Sequence, residues 1–208
     1  SLDLLFMVDT TGSMGDELKF LQAELADVIR AVRETLQISV RVSVNFYRDT
    51  EDEYLVRSFP FTADLEEVQG QLSAQYSDGG GDYPEAVHTA LDDAVNLHDW
   101  DENSVKLVFF VADAPAHAEA SVKASMKDSL SVAAAKGIRI IPVASSGVDT
   151  SCEELFRSFA ILTGGTYVFL TNDSGIGGDH LEATVGEHEV EKLNELMIRV
   201  IGDYYQGK

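Results

Sequence analysis

Oxygen-bearing side chains gather at three places in this 208-residue sequence. Asp9, Thr11 and Ser13 place one carboxylate and two hydroxyls on a short stretch. Asp82 and Glu85 follow three successive glycines, Gly79 to Gly81, and Asp113 ends the apolar run 105–112. All are hard donors of the class that holds Mg²⁺ or Ca²⁺. Carboxylates brought into one site raise each other's pKa, and a divalent cation supplies the compensating charge. Taken singly each is ordinary, since an Asp after a strand commonly turns or caps the chain, and Ser13 is placed to cap a helix. The chemistry therefore depends on whether the surrounding elements bring the three stretches together.

The apolar residues Leu4 to Val8 read as a buried parallel strand, which makes 9–14 a strand-to-helix turn. Apolar residues recur at Leu18, Leu21, Leu25, Val28, Ile29 and Val32, predicting a helix over 16–36. Residues 38–46 alternate with a period of two, as do 54–59, so a half-buried strand and a hairpin are expected there. A short helix over 64–72 has Thr62 as its expected N-cap, and Pro84 is placed to open a helix reaching about Leu97. VKLVFFVA at 105–112 reads as a central strand buried on both faces, with Asp113 at its carboxyl end. A helix at 121–136, a strand at 138–143, a helix at 151–162 before Gly164-Gly165, a strand at 167–170 and a helix at 189–204 complete the chain.

That alternation predicts the α/β class: a doubly wound, Rossmann-like three-layer sandwich. Its central sheet is mostly parallel with one antiparallel edge strand, helices lie on both faces, and residues 1–208 form a single domain. Ligands of such sheets bind beyond the carboxyl ends of the strands, where all three oxygen-rich stretches would lie.

The pattern D-x-T-x-S at Asp9, Thr11 and Ser13, with Asp113 after a central strand, resembles the metal-ion-dependent adhesion site of von Willebrand factor type A domains, and the resemblance covers nearly the whole chain. Asp82-Tyr83-Pro84-Glu85 resembles the D-x-P-E segment in the A-like domains of the integrin β family, and LVFFVADAPAH at 107–117 resembles the segment around their site aspartate. The resemblance implies direct coordination by the Thr11 and Ser13 hydroxyls, coordination largely through water by Asp9 and Asp113, and Glu85 at or beside the ion, with Asp82 adjacent. It implies Mg²⁺, with Mn²⁺ or Ca²⁺ as substitutes, and one open position filled by a carboxylate of a protein partner. It implies a cation-dependent adhesion or recognition module rather than an enzyme, monomeric, extracytoplasmic or at the cell surface, and cut from a larger protein, with a bacterial source among the candidates. Asp16 and Glu17 match acidic positions of a neighbouring regulatory ion site. The third integrin site is poorly matched, because Gly80 stands where that site uses Asn and Arg48 or Asp49 where an Asp is expected.

Composition narrows the alternatives. Thirty-six acidic against 15 basic residues give a net charge of −21, which disfavours nucleic acid and anionic membrane surfaces. No apolar run approaches the roughly 18 residues of a membrane span. Cys152 is the only cysteine, so neither an intrachain disulfide nor a cysteine metal cluster can form. A metal-dependent phosphohydrolase with Asp9 as nucleophile would need a second Asp where Thr11 stands, and a lysine with no evident match; P-loop and G-x-S-x-G motifs are absent. A structural scaffold within a larger assembly is the other alternative. His117 reads as a polar surface-loop residue, Trp100 as a helix-end cover or a contact residue, and the Gly- and Asp-rich stretch 172–179 as turn chemistry rather than a Ca²⁺ loop.

Overall fold

The computed structural model describes residues 1–170 and 191–207. Its strands are β1 (Leu2–Asp9), β2 (Val40–Tyr47), β3 (Val56–Arg57), β4 (Val105–Ala112), β5 (Ile138–Ala144) and β6 (Val168–Phe169). The helices are α1 (Gly15–Leu36), α2 (Leu65–Ser73), α3 (Val87–Asn96), α4 (Ala120–Lys136), α5 (Thr150–Thr163) and α6 (Leu193–Gln206). A single 3-10 turn, Gly12–Met14, leads into α1. The sheet order is β3-β2-β1-β4-β5-β6, parallel throughout except for the antiparallel β2–β3 pair at one edge. The expected mostly parallel α/β sheet is thus the observed one.

β1 and β4 are buried over nearly their whole length because helices cover both faces. Leu4, Phe6, Val8, Phe109 and Val111 face a core shared with α1 and α6; Leu5, Met7, Val108 and Phe110 face one shared with α3, α4 and α5. Phe6 and Phe109 stack on the first face with centroids 5.2 Å apart. β1 is the strand at which winding reverses, with β2 on one side and β4 on the other. A crevice opens beyond the carboxyl ends of strands at such a switch point, and Asp9 and Asp113 stand on either side of it.

Several local expectations differ. Ser43 and Asn45 are fully buried rather than solvent-facing, because segment 56–61 covers that part of β2. The Ser43 hydroxyl donates to Phe59 O at 2.7 Å, and Asn45 Oδ1 accepts from Phe59 N at 2.7 Å, so the polar side chains act as strand partners. β3 keeps only two residues as a strand. Asp64, not Thr62, caps α2 by accepting from Glu66 N and Glu67 N; Thr62 instead bridges to Val42 and accepts from Asp64 N. Pro84 does not open α3, because Glu85 pairs as an isolated parallel bridge with Ala116 and the helix starts at Val87. The expected start of the last helix at Glu189, and the stretch 172–179, lie outside the described residues.

Candidate functional site

Asp9 is the last residue of β1 and is fully buried. Its Oδ1 accepts from Thr11 N at 2.8 Å and from the Thr11 hydroxyl at 2.7 Å, a local turn that fixes both side chains. Its Oδ2 makes no hydrogen bond of normal geometry, and the Tyr47 hydroxyl, likewise without one, is near enough to ease the charge on this carboxylate. Thr11 is buried, and Ser13 is exposed on the 3-10 turn that follows.

Backbone contacts fasten the glycine-rich loop to this turn. Asp78 N donates to Thr10 O at 3.0 Å and Gly12 N to Gly79 O at 3.2 Å. Gly79 and Gly80 take φ of +80° and +74°, conformations that cost other residues strain. A Cβ on Gly80 would stand 2.9 Å from Glu85 Oε1 and 3.0 Å from Thr11 Cβ, so the glycine lets Glu85 and Thr11 approach one another. Glu85 N donates to Pro115 O at 2.9 Å, tying this loop to the one after β4.

Three buried carboxylates meet at this end of the sheet, and in each one oxygen lacks a partner: Asp9 Oδ2, Glu85 Oε2 and Asp113 Oδ1. Burial first, then the charge of Asp113, pushes the Asp9 carboxyl up to about 7, against the opposing Thr11 hydrogen bonds. Burial, followed by Asp9, Asp49, Asp52 and Asp113, pushes Glu85 up to about 9. Burial also raises Asp113, opposed by the Ser13 hydroxyl. Asp9, Thr11, Ser13, Glu85 and Asp113 therefore share one neighbourhood. Asp82 is exposed on the outer edge of its loop.

Asp16 and Glu17 point to different surroundings. Asp16 is exposed and paired with Lys19 at 3.0 Å. Glu17 is buried, accepts from the Ser146 hydroxyl at 2.9 Å and its N–H at 3.3 Å, and raises the pKa of Asp113. Glu17 thus anchors the loop after β5 to the start of α1. Tyr83 anchors the same loop, accepting from Asp149 N at 2.9 Å and donating to Gly147 O at 3.3 Å.

Sequence reasoning missed two buried groups. Tyr47 pairs with Asp9 across β1 and β2, and burial with the charges of Asp9, Asp113 and Glu85 raises its hydroxyl well above the usual range. Ser145 follows β5 as Asp113 follows β4, and its hydroxyl is buried without a partner. That strand-end position was the available signal. His117 joins Asp49 at 2.8 Å, and Asp52 accepts from Gly80 N at 3.1 Å, so the β2–β3 turn braces the glycine loop.

The donor set fits a hard divalent cation. Carboxylate oxygens lacking hydrogen bonds, beside two hydroxyls, give an ion both ligands and a reason to be held. No group of three or more His, Cys, Asp and Glu side chains among the described residues is spaced to grip an ion directly. An ion here would therefore draw on the Thr11 and Ser13 hydroxyls and on water, which suits Mg²⁺, an ion that dehydrates reluctantly.

A family model for the von Willebrand factor A domain matches residues 3–172. An ariadne-like RING finger protein of Acanthamoeba polyphaga mimivirus is 32% identical over 122 residues, 59% of this chain and 12% of that protein. Alpha-protein kinase vwkA of Dictyostelium discoideum is 29% identical over 119 residues, 56% of this chain and 19% of the kinase. The match thus spans less than a fifth of either relative. Among solved structures, conserved hypothetical protein BatB from Bacteroides thetaiotaomicron superposes with a TM-score of 0.63 at 11% identity, covering 99% of this chain and all of the other. A von Willebrand factor type A protein from Catenulispora acidiphila gives 0.65 at 13%, covering 98% of this chain and 42% of that one.

Proposed function

Since the chain belongs to the von Willebrand factor A domain family, we propose that it is a protein-recognition module whose binding depends on a divalent cation at the carboxyl end of β1 and β4. One observation carries this reading: Asp9, Glu85 and Asp113 each bury an oxygen without a hydrogen-bond partner in one neighbourhood. Leaving such groups uncompensated costs roughly 1–3 kcal/mol each, more when charged, and an ion turns that cost into affinity. Thr11 and Ser13 would hold Mg²⁺ through their hydroxyls, Asp9 and Asp113 through water, and Glu85 at or beside the ion. Bound, the ion supplies an electrophilic position for a partner's carboxylate. The protein's own groups orient and hold, and the module performs no reaction.

The relatives place a like segment within longer proteins named as a RING finger protein and a kinase. That setting suits a module that recruits partners for functions carried elsewhere in a chain. Calorimetric titration of Mg²⁺ and Mn²⁺ into the wild type and Asp9→Ala tests the cation site: saturable binding lost in the variant is expected, and no binding in the wild type overturns the reading. Capture of an acidic-peptide library with Mg²⁺ but not with EDTA tests the partner chemistry.

A further inference from the structure

At the opposite pole of the sheet a cleft of about 340 Å³ is lined by His98, Asp99, Trp100, Glu102, Lys106 and Lys136. Lys106 is the second residue of β4 and Asp113 follows its last. At the rise of a parallel strand, the cleft and the candidate cation site lie roughly 23 Å apart.

The two lysines are unusual in a chain with 36 acidic and 15 basic residues. Lys106 is only 9% exposed, yet its ammonium reaches just two backbone carbonyls, Glu102 O and Ser104 O, both at a long 3.3 Å. Lys136 donates to Val95 O at 2.9 Å. Neither has a carboxylate partner among the described residues, although Asp99 and Glu102 line the same cleft. An ammonium carries three donors, so N–H groups of both lysines remain uncommitted. Closing backbone carbonyls accounts for part of their bonding and leaves neither ammonium in an ion pair among the described residues. Lys136 is exposed, so the cost of burying a charge without a counter-charge falls on Lys106.

The flat walls are held in place. The Trp100 indole N–H donates to Ala94 O at 3.0 Å, and its ring meets Phe61 edge-on with centroids 4.8 Å apart. His98 Nε2 joins Asp93 Oδ2 at 3.0 Å. A pre-formed recess lined by two cations and a fixed aromatic wall has the form of a small-ligand site.

We propose that this cleft binds a small organic anion with a flat unsaturated ring, its carboxylate or phosphate meeting Lys106 and Lys136 and its ring lying against Trp100. The volume sits at the low end of ligand pockets, roughly 300–1,000 Å³. It suits a single-ring acid or phosphate ester rather than a dinucleotide. The site is independent of the cation site, and its test is run in EDTA.

Trp100 is the only tryptophan, so its emission reports on this cleft alone. Benzoate, phenyl phosphate, inorganic phosphate and neutral benzamide are titrated into the protein, following Trp100 fluorescence and the ¹H–¹⁵N resonances of 98–106. Saturable changes with benzoate or phenyl phosphate are expected. Lys136→Met should weaken them about tenfold, as loss of one charge-assisted hydrogen bond predicts. Lys106→Met should do the same; if that variant fails to fold, Lys136→Met, at the exposed end of α4, still decides. A folded wild type that responds to neither ring-bearing anion overturns the proposal. So does benzamide or inorganic phosphate binding as tightly as phenyl phosphate, or a Lys136→Met variant that binds undiminished.

Discussion

Asp9 illustrates how one side chain is placed against its own solvation. Its backbone position at the end of a buried strand removes it from water, and the neighbouring Asp113 adds repulsion, so its carboxyl sits near pH 7. Because the folded pKa lies above the unfolded one, protonation costs nothing in either state below about pH 4. Stability then falls as pH rises, through about 7 for Asp9 and about 9 for Glu85. The cation-free protein should therefore lose on the order of 3 kcal/mol between pH 5 and pH 7 through Asp9 alone, with a further loss toward pH 9 through Glu85. Thermal melts in EDTA check this, and saturating Mg²⁺ should flatten the slope. Asp9→Asn should remove its own share of the slope below about pH 7, leaving that of Glu85, while abolishing cation binding, a combination that simple damage to the fold would not give. Mg²⁺ must displace protons, so its apparent affinity should climb over the same pH range.

At the scale of the element, the site rests on loops fastened to one another rather than on any loop alone. Gly80 is the tightest point, with positive φ and a space that Thr11 and Glu85 already occupy. Gly80→Ala should cost about 1–3 kcal/mol and weaken Mg²⁺ binding by pushing Glu85 aside. Gly81→Ala, where an added Cβ meets nothing within 4 Å, should leave both unchanged. Paired melts and calorimetric titrations of the two variants separate these outcomes. Glu17 fastens the other side, through Ser146. Glu17→Gln keeps the shape but weakens an acceptor that serves two donors. Faster amide exchange in the 145–149 loop, with the global melting temperature little changed, is expected.

Across the whole molecule, the charge of −21 acts on everything that approaches. Self-repulsion destabilises the folded state and long-range attraction gathers cations, and both weaken as the Debye length shrinks. Raising NaCl from about 0.05 to about 0.5 M should raise the melting temperature of the cation-free protein and lower its Mg²⁺ affinity. A binding isotherm independent of salt would contradict a cation site embedded in this field. No described helix is long and apolar enough to cross a membrane, and a surface so negative repels anionic bilayers.

The sequence by itself determined the layers of this protein. Apolar runs such as 105–112 can be satisfied only between two helical layers, and the amphipathic stripe of α1 can face only the sheet. It also marked Asp9, Thr11, Ser13, Glu85 and Asp113, because local strand-end and turn positions are written in neighbouring residues. Tertiary structure alone decided which of the marked groups meet. Glu17 and Asp16 are adjacent in sequence, yet one is buried against Ser146 and the other faces solvent, since helix rotation separates consecutive side chains. Tyr47 and Ser145 entered the site through pairing across strands and a shared strand end, relations between residues dozens of positions apart. The burial of Ser43 and Asn45 followed from a covering segment that no period within β2 could announce. Periodicity records which face of an element is apolar; what covers the other face is a property of the packed chain.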